Sequence, residues 1–372
     1  MDMQVGCQGT PLLYMSIELS GKTWGLAFSI GEKVRHTNVR AGDKFELLQQ
    51  VTRTKERFGL AADVRVVSCY EAGRDGFWIH RWLQREGIEN IVIDPASIEI
   101  NRRKRRIKTD RLDAEKMVLM LIRYYLLGER ALWRVVRVPP EEAEDARRPH
   151  RELQRLVRER SAHVTRIKAL LATQGIVVGN VLRMKPGDLR DWQGLPLKQH
   201  LLAELQREHD RLSCIVRQSA DLEKAQAERL RKPVTPEERK AAKLCGVRGV
   251  GSVTTWTLTR EFFGWREFKN GREIGALAGL VGTPYSSGES IRDRGISKAG
   301  NPQVRVIAIE LAWNWLRFQP QSALSQWFVR RFADGGSRMR RIGIVALARK
   351  VLIALWRYLE YDEIPAGAIL KA

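Results

Sequence analysis

Four acidic residues in the first third of the chain are of the type and spacing that could hold a divalent cation. Glu18 and Glu71 each end an apolar run, and Asp110 and Asp113 lie one helical turn apart at the start of a helical pattern. Carboxylates grouped together repel one another, so a hard ion that prefers oxygen ligands, Mg²⁺, is their simplest explanation. The alternative is that each acid is solvated, with Asp110 capping a helix and Asp113 favoured by the helix dipole.

A run of basic residues directly precedes the two aspartates. Beside a metal-binding pair, such a run would clamp a phosphate backbone, whereas alone it is typical of a solvated loop or a targeting patch. The run consists of Arg102, Arg103, Lys104, Arg105, Arg106 and Lys108.

A second candidate group lies near the other end of the chain. Between Leu277 and Gly300, a Tyr-Ser-Ser-Gly turn is followed by Arg292, Arg294 and Lys298. A serine can attack phosphorus if its proton is removed and the developing charge is stabilised, and basic side chains or a metal can do both. Composition alone indicates a polar loop. The nearby segment GVRGVGSVT resembles a helix-hairpin-helix turn, whose glycines let backbone N–H groups approach a phosphate.

The charge of the chain favours a polyanionic partner. Its 372 residues include 65 Lys and Arg against 43 Asp and Glu, a formal net charge of +22. Such an excess favours nucleic acid through counterion release and steered association, with an acidic membrane surface as the weaker alternative.

Membrane, secretory and zinc classes find no support in the sequence. It has no apolar stretch of about 18 residues and no basic segment followed by an apolar one at its start, so we expect a cytoplasmic protein. The four cysteines, Cys7, Cys69, Cys214 and Cys245, are widely separated, which predicts reduced thiols rather than a disulfide framework or a zinc site.

The acids of the first 130 residues lie on an α/β pattern. Three short strand-like runs, a helix, a strand, a helix, a strand and a final helix from Asp110 follow one another. That order predicts a ribonuclease H-like domain over residues 1–130, in which the first and fourth strands are neighbours. Glu18 and Glu71 would then lie side by side, facing the helix of Asp110 and Asp113.

The rest of the chain is predicted to be helical. Residues 131–234 contain two helical stretches, Glu141 to about Gln174 and Leu201 to about Arg231, separated by a segment with two prolines and two glycines. Two helices that return past each other indicate a coiled-coil arm, which could be a spacer, a dimerisation element or an RNA-binding element. Residues 235–372 form short glycine-linked helices and predict a compact, mainly α domain.

These motifs, in this order, resemble the bacterial insertion-sequence transposases of the one-ten family, including its eleven-eleven branch. The resemblance covers nearly the whole chain and rests on SIELSGKTW, SCYEAGRDGFW, the block from IDPASIEINRR to KTDRLDAEK, and finally GVRGVGSVT, LAGLVGTPYSSGES and RGISKAGN. The family joins a RuvC-like domain to a serine-bearing transposase domain. The late block from LAGL to SKAG is distinctive.

The resemblance implies both a site and a reaction. It assigns four metal-binding acids to Glu18, Glu71, Asp110 and Asp113, and the nucleophilic serine to Ser287, with Ser286 as the second choice. It implies strand exchange between donor and target DNA through a phosphoserine link assisted by Mg²⁺. It also implies a structured noncoding guide RNA, a homo-oligomer (dimer or tetramer) in which the acids of one protomer face the serine of another, and association with the nucleoid during activity.

One departure from the family leaves other functions open. The first acid is usually aspartate in the family, whereas here it is Glu18, whose extra methylene shifts the carboxylate by about 1.5 Å. The alternatives are a RuvC-like metal-dependent DNA nuclease, in which the serine loop only binds backbone, and a nucleic-acid-binding relative that has lost catalysis.

Overall fold

The computed structural model describes residues 11–98, 110–287 and 290–371 and divides the chain into two compact units. Unit 1 is Met1–Val138 and unit 2 is Pro139–Ala372. No helix in the described ranges has the length and hydropathy that crossing a membrane requires. Outside the described residues lie Cys7 and the basic run Arg102, Arg103, Lys104, Arg105, Arg106 and Lys108. For some candidate residues only the backbone is described: Asp110, Ser286, Ser287, Arg292 and Arg294.

A five-stranded mixed sheet forms the centre of unit 1. Its spatial order is β3-β2-β1-β4-β5. The first three strands pair antiparallel, while β1–β4 and β4–β5 are parallel pairs. The prediction that the first and fourth strands are neighbours is therefore confirmed. The strands are β1 (Leu13–Leu19), β2 (Thr23–Ser29), β3 (Val34–Arg40), β4 (Val66–Glu71) and β5 (Glu89–Ile93).

Helices cover both faces of this sheet. They are α1 (Lys44–Arg57), α2 (Trp78–Arg85) and α3 (Asp110–Leu126). Because side chains alternate between faces along a strand, Ile17 and Tyr70 pack with residues of α1 and α2 on one side. Tyr14 and Cys69 pack with α3 on the other side. The alternation decides which face each acidic residue occupies.

Unit 1 continues past α3 to Val138. The Asp94 N–H donates to the Arg134 carbonyl oxygen, and the Val136 N–H donates to the Val92 carbonyl oxygen at 2.7 Å. Trp133 is buried in the same core as α3. These bonds fasten the segment to the edge strand β5.

Unit 2 begins with an antiparallel pair of long helices. After the short helix α4 (Glu141–Ala146), α5 (Arg148–Ala172) and α6 (Gln199–Arg231) follow. His163 Nδ1 lies 2.6 Å from Glu208 Oε2, and Arg166 pairs with Glu204. The residue numbers rise along α5 while those of the partners on α6 fall, so the two helices are antiparallel. The residues between the two helices fold back into a small apolar cluster with them.

The remaining helices of unit 2 surround a second core. Buried apolar residues of α10 and α12 form its centre, including Leu311, Trp315, Leu347 and Val351. A five-residue π-helix, Thr259–Phe263, follows α8 directly. The helices are α7 (Pro236–Cys245), α8 (Ser252–Leu258), α9 (Gly271–Leu277), α10 (Pro302–Phe318), α11 (Ala323–Phe332) and α12 (Ser337–Tyr361).

A β-hairpin stands between α9 and α10. It consists of β6 (Gly282–Ser287) and β7 (Ser290–Ile296), which pair antiparallel. The interpretation of this region as a polar loop is therefore wrong for these residues. Antiparallel pairing gives the backbone N–H and C=O groups of both segments hydrogen-bond partners, which an irregular loop would leave to water.

Candidate functional site

Glu18 and Glu71 lie at the same edge of the sheet of unit 1. Ile17 and Tyr70 are paired in the parallel β1–β4 ladder, and the two glutamates are the next residue of each strand. Since Ile17 and Tyr70 face α1 and α2, alternation directs the glutamates to the face that α3 covers. Gly25, opposite Glu18 on β2, has no side chain to fill the space beside it.

The first turns of α3 are fastened to this edge. Ser16, fully buried on β1, donates its hydroxyl proton to the Ala114 carbonyl oxygen at 2.6 Å. Ser16 is two residues before Glu18, and Ala114 directly follows Asp113. The bond therefore sets the start of α3, with Asp110 and Asp113, next to the strand that carries Glu18. Together, Glu18, Glu71, Asp110 and Asp113 are called the acidic edge below.

The carboxylates of the acidic edge are chemically suited to a hard cation, because their oxygens are the ligands that Mg²⁺ prefers. Glu71 is exposed, and Glu18 and Asp113 are half-buried. Over the part of the chain that the structure describes, no three side chains of His, Cys, Asp or Glu lie together in a group that could hold a metal ion. The pairing of β1 with β4 and the Ser16–Ala114 bond bring the four backbone positions to one edge of the sheet. The side chain of Asp110 lies outside what is described.

Ser287 is the last residue of β6, where the hairpin reaches its tip. The hairpin of β6 and β7 is called the serine hairpin below. Backbone bonds tie its base to the end of α9: the Ser297 N–H donates to Val281 O at 2.8 Å, and the Asn301 N–H donates to Leu277 O at 3.1 Å. Ser287 is therefore held at the end of a ladder whose base is fixed.

Two glycines make the hairpin base possible. Gly279 (φ +69°) and Gly300 (φ +92°) both have the left-handed backbone that favours glycine. A Cβ on Gly279 would overlap the Ala299 carbonyl oxygen, and one on Gly300 would overlap the Leu277 carbonyl oxygen. The two halves of the late motif, LAGL and SKAG, are thus packed backbone to backbone.

Lys298 lies within this base and is solvent-exposed. It has a positive φ of 55° although it is not glycine, a conformation that costs about 1 kcal/mol or more. Arg305 Nη1 donates to its carbonyl oxygen at 2.9 Å. The basic residues predicted here were Arg292, Arg294 and Lys298. Of their side chains the structure describes only that of Lys298, which is exposed and therefore accessible to a ligand.

A buried carboxylate that the sequence did not single out connects the hairpin base to α5. Glu261, in the π-helix, is 2% exposed. Arg151 Nε and Nη2 donate to its two oxygens at 2.6 and 2.8 Å, and His150 Nε2 lies 3.0 Å from Oε1. Asn301 Nδ2 donates to Oε2 at 3.1 Å, while its own side-chain oxygen caps α10. π-Helical turns inside helices occur often at functional sites.

These partners decide the charge of Glu261. Burial raises the pKa of its carboxyl, but hydrogen bonds from Arg151 and His150 lower it by more, so the pKa lies far below its ordinary value. The hydrogen bond with Glu261 likewise raises the pKa of Arg151. Glu261 is therefore an anion at neutral pH, held by the Arg151 cation of α5.

Little in the sequence could have revealed this group. Arg151 and Glu261 are 110 residues apart, and Arg151 is one of many arginines on a helix interpreted as an arm. Asn301 alone had a signal, because it ends the quoted RGISKAGN motif.

The chain is similar to known proteins both over one region and over nearly its whole length. A family model described as "Transposase IS116/IS110/IS902 family" matches residues 241–326, a range that contains Glu261 and the serine hairpin. The candidate transposase y4rJ of Sinorhizobium fredii is 40% identical over 376 residues, covering 96% of this chain and 94% of that protein. The transposase for insertion sequence element IS1111A of Coxiella burnetii is 27% identical over 262 residues, covering 69% and 68%.

Similarity over almost the whole length defines the class of the molecule, which is an insertion-sequence transposase and hence an enzyme of DNA recombination. The chain belongs to the IS116/IS110/IS902 transposase family. The membership predicted from the motifs is thereby confirmed.

Proposed function

We propose that this transposase exchanges DNA strands through a covalent bond to Ser287. In the forward step, the Ser287 Oγ forms a bond to a backbone phosphorus and loses its proton. The bond from phosphorus to the O3′ atom breaks, and the departing oxygen takes up a proton to become a 3′-hydroxyl. Attack by the 3′-hydroxyl of the exchanged strand reverses the step and frees the serine. The observation that carries the proposal is the position of Ser287 at the tip of a hairpin whose base is fixed.

Unit 1 is proposed to be a ribonuclease H-like (RuvC-like) domain whose acidic edge takes part in the reaction. Its strand order and the start of α3 beside β1 support this assignment. Glu18, Glu71, Asp110 and Asp113 would hold Mg²⁺, which supplies polarisation of the phosphate or assistance to the departing oxygen. Glutamate at position 18 still offers an oxygen ligand, so we expect the set to be functional.

A structured noncoding RNA is proposed to select the DNA. In such a division of labour, base pairing reads the sequence and the protein holds the backbones. The net charge of +22 supports a protein that binds more than one nucleic-acid strand. RNA that co-purifies with the protein, and that pairs with both donor and target DNA, is the expected finding.

The active form is proposed to be a dimer or tetramer in which the acidic edge of one protomer acts with the serine of another. Mixing tests this directly. A Glu71→Gln protein and a Ser287→Ala protein, each inactive alone, should regain activity when they assemble together. Complementation that never exceeds the separate activities contradicts the shared site.

The serine step is tested by covalent capture. Labelled DNA incubated with the protein and Mg²⁺ should migrate with the protein on a denaturing gel, and Ser287→Ala should abolish that band. Ser286→Ala, one residue earlier on β6, is the matched control and should keep it. Capture that survives in Ser287→Ala and is lost in Ser286→Ala would transfer the role to the neighbouring serine.

Two other functions give different results in the same assay. A RuvC-like nuclease cuts DNA in Mg²⁺ without a covalent band, and Ser287→Ala does not affect the cutting. A catalytically inactive relative binds DNA but neither cuts nor captures it. Glu18 is the sequence feature that favours the inactive relative, and exchange of DNA strands by the unmodified chain excludes it.

A further inference from the structure

A cleft along the first half of α5 is strongly basic. It has a volume of about 610 Å³ and contains five arginines against two glutamates. The lining residues that bear on its chemistry are Arg147, Arg148, Arg151, Arg155, Arg158, Gln154 and Gln303. The space is called the arginine cleft below. The proposed serine step makes no use of it.

Arg147 is the buried arginine of the cleft, and its guanidinium is only partly hydrogen-bonded. Only 8% of the residue is exposed, and its guanidinium stacks on Trp265 with 4.7 Å between the charge centre and the ring. Among the residues that the structure describes, none accepts a hydrogen bond from Nε or Nη2 of Arg147. A buried cation with unsatisfied N–H groups is costly, and an anion in the cleft would remove that cost.

The other four arginines of the cleft form a stripe along α5. Arg148, Arg151, Arg155 and Arg158 follow a spacing of three, four and three residues, so they lie on one face of α5. At a rise of 1.5 Å per residue the stripe is about 15 Å long, comparable with about four nucleotides of a strand that advances 3.4 Å each. A row of this length fits a chain of phosphates better than one phosphate group.

Arg151 is held by the buried Glu261, whereas the carboxylates beside the other arginines of the stripe are exposed. Arg148 pairs with Asp145 at 3.2 Å, and both side chains are more than three-quarters exposed. Arg155 lies 3.5 Å from Glu159 and 3.8 Å from Glu152. Exposed pairs of this kind contribute little and are readily exchanged for a stronger anion. Arg158 Nε donates to the backbone carbonyl oxygen of Gln154 at 3.2 Å.

We propose that the arginine cleft is a binding site for the phosphodiester backbone of a nucleic acid, with Arg147 at its buried end and the α5 stripe along its length. This inference rests on the proposed handling of nucleic acids but not on the serine reaction. Arg151 also holds Glu261, whose other partner Asn301 closes the hairpin base. The Arg151–Glu261 ion pair and the Glu261–Asn301 hydrogen bond therefore connect the cleft to the base of the serine hairpin.

The test is equilibrium binding by the full chain in EDTA, where strand exchange cannot contribute. Fluorescent single-stranded RNA and duplex DNA are titrated at several salt concentrations. Arg155→Ala/Arg158→Ala should weaken binding at least tenfold. The slope of log K against log salt should fall by about 1.4 for RNA or 1.8 for duplex DNA, which is two lost phosphate contacts. If the slope falls only with RNA, the bound strand is RNA. If it falls only with the duplex, the bound strand is DNA.

Arg147→Met gives a second, independent signature. Removing a buried cation whose Nε and Nη2 have no hydrogen-bond acceptor among the described residues should leave the urea midpoint of the free protein unchanged or higher, while binding weakens at least fivefold. A structural arginine would show the reverse, with a lower midpoint and intact binding. That result would overturn the role of Arg147 and with it the site.

A matched control changes the same amount of charge elsewhere in unit 2. Arg330→Ala/Arg331→Ala removes two exposed arginines of α11 and should change the salt slope much less. An equal change in both double variants would mean that only net charge matters, and would overturn the proposal. Equal weakening toward poly-glutamate as toward nucleic acid would also overturn it, because the cleft would then be a site for acidic peptides.

Discussion

Arg151 on α5 and Glu261 in the π-helix form an ion pair with two hydrogen bonds, of 2.6 and 2.8 Å. Glu261 is buried, whereas the Arg151 side chain is about half exposed and lines the arginine cleft. Asn301 Nδ2 donates to the same carboxylate, and Asn301 caps the helix that follows the serine hairpin. The relationship therefore connects a basic surface to the support of the candidate nucleophile through side chains of unit 2 alone.

Glu261→Gln should be strongly destabilising. The amide keeps the shape of the side chain but removes the anion that accepts hydrogen bonds from Arg151 and Asn301. Removing one partner of a buried pair costs about 3 kcal/mol, the lower end of the usual range because Arg151 can turn to solvent. The urea midpoint at pH 7 measures the loss. As a control, Glu204→Gln breaks the more exposed pair with Arg166 and should cost less than about 1 kcal/mol.

The same pair should make stability depend on pH in a known direction. Because the folded pKa of Glu261 is lowered from its ordinary value of 4.5, the carboxylate contributes fully above that value. The contribution declines as the pH falls toward the folded pKa. The difference in unfolding free energy between the wild type and Glu261→Gln should therefore shrink below about pH 4.5. A difference that stays constant from pH 7 to pH 3 would show that the charge of Glu261 is not what stabilises the fold.

Gly300→Ala should disrupt the base of the serine hairpin. A methyl group there would overlap the Leu277 carbonyl oxygen and would also strain a positive φ, so we expect a loss of about 3 kcal/mol or more and failure of covalent DNA capture. Gly295→Ala is the matched control. Gly295 has a similar φ of +89° in β7, but nothing lies within 4 Å of its Cβ position. It should cost about 1 kcal/mol and keep capture. Equal losses would mean that backbone strain alone, and not close packing, explains Gly300.

The strands and helices of unit 1 could be predicted closely because their periodicity is strong. Glu18 and Glu71 were assigned to strand ends, and the structure has β1 ending one residue after Glu18 and β4 ending at Glu71. Neighbouring strands 1 and 4 follow from element order, so the shared edge of the two glutamates was foreseeable. The predicted metal and the assignment of the domain family stay predictions.

The structure around Ser287 was harder to predict from the sequence. Pairing of β6 with β7 joins segments that contain Gly, Pro and Asp, which are depleted in strands, so composition favoured a loop. The buried Glu261 depends on contacts across 110 residues, which no local pattern encodes. Arg147 looked like one basic residue among many, since burial is a property of the packed helices.

Ser16→Ala should loosen the acidic edge without unfolding unit 1. It removes the bond that holds the start of α3 against β1, at a cost of about 1 kcal/mol. We expect the Mg²⁺ concentration for half-maximal strand exchange to rise several-fold. Ser68→Ala is the control, because Ser68 is equally buried but bonds Asn90 at 2.8 Å on the opposite face of the sheet. It should cost a similar amount of stability and leave the Mg²⁺ requirement unchanged. If both variants change that requirement alike, general loosening of the sheet is responsible.

Substitution at position 18 tests whether the acidic edge acts through its carboxylates. Glu18→Gln keeps the size of the side chain but removes a charged oxygen ligand, so Mg²⁺ binding measured by calorimetry should weaken at least tenfold and covalent capture should fall with it. Glu115→Gln is the control: it lies on α3, two residues after Asp113, but pairs with His36 at 3.3 Å, and Mg²⁺ binding should be unaffected. Glu18→Asp distinguishes a working site from a decayed one. If the unmodified chain exchanges strands, the aspartate variant should do so at a comparable rate, because either carboxylate supplies the oxygen. If only the aspartate variant is active, the extra methylene of Glu18 has displaced the carboxylate from the position that the other three acids require.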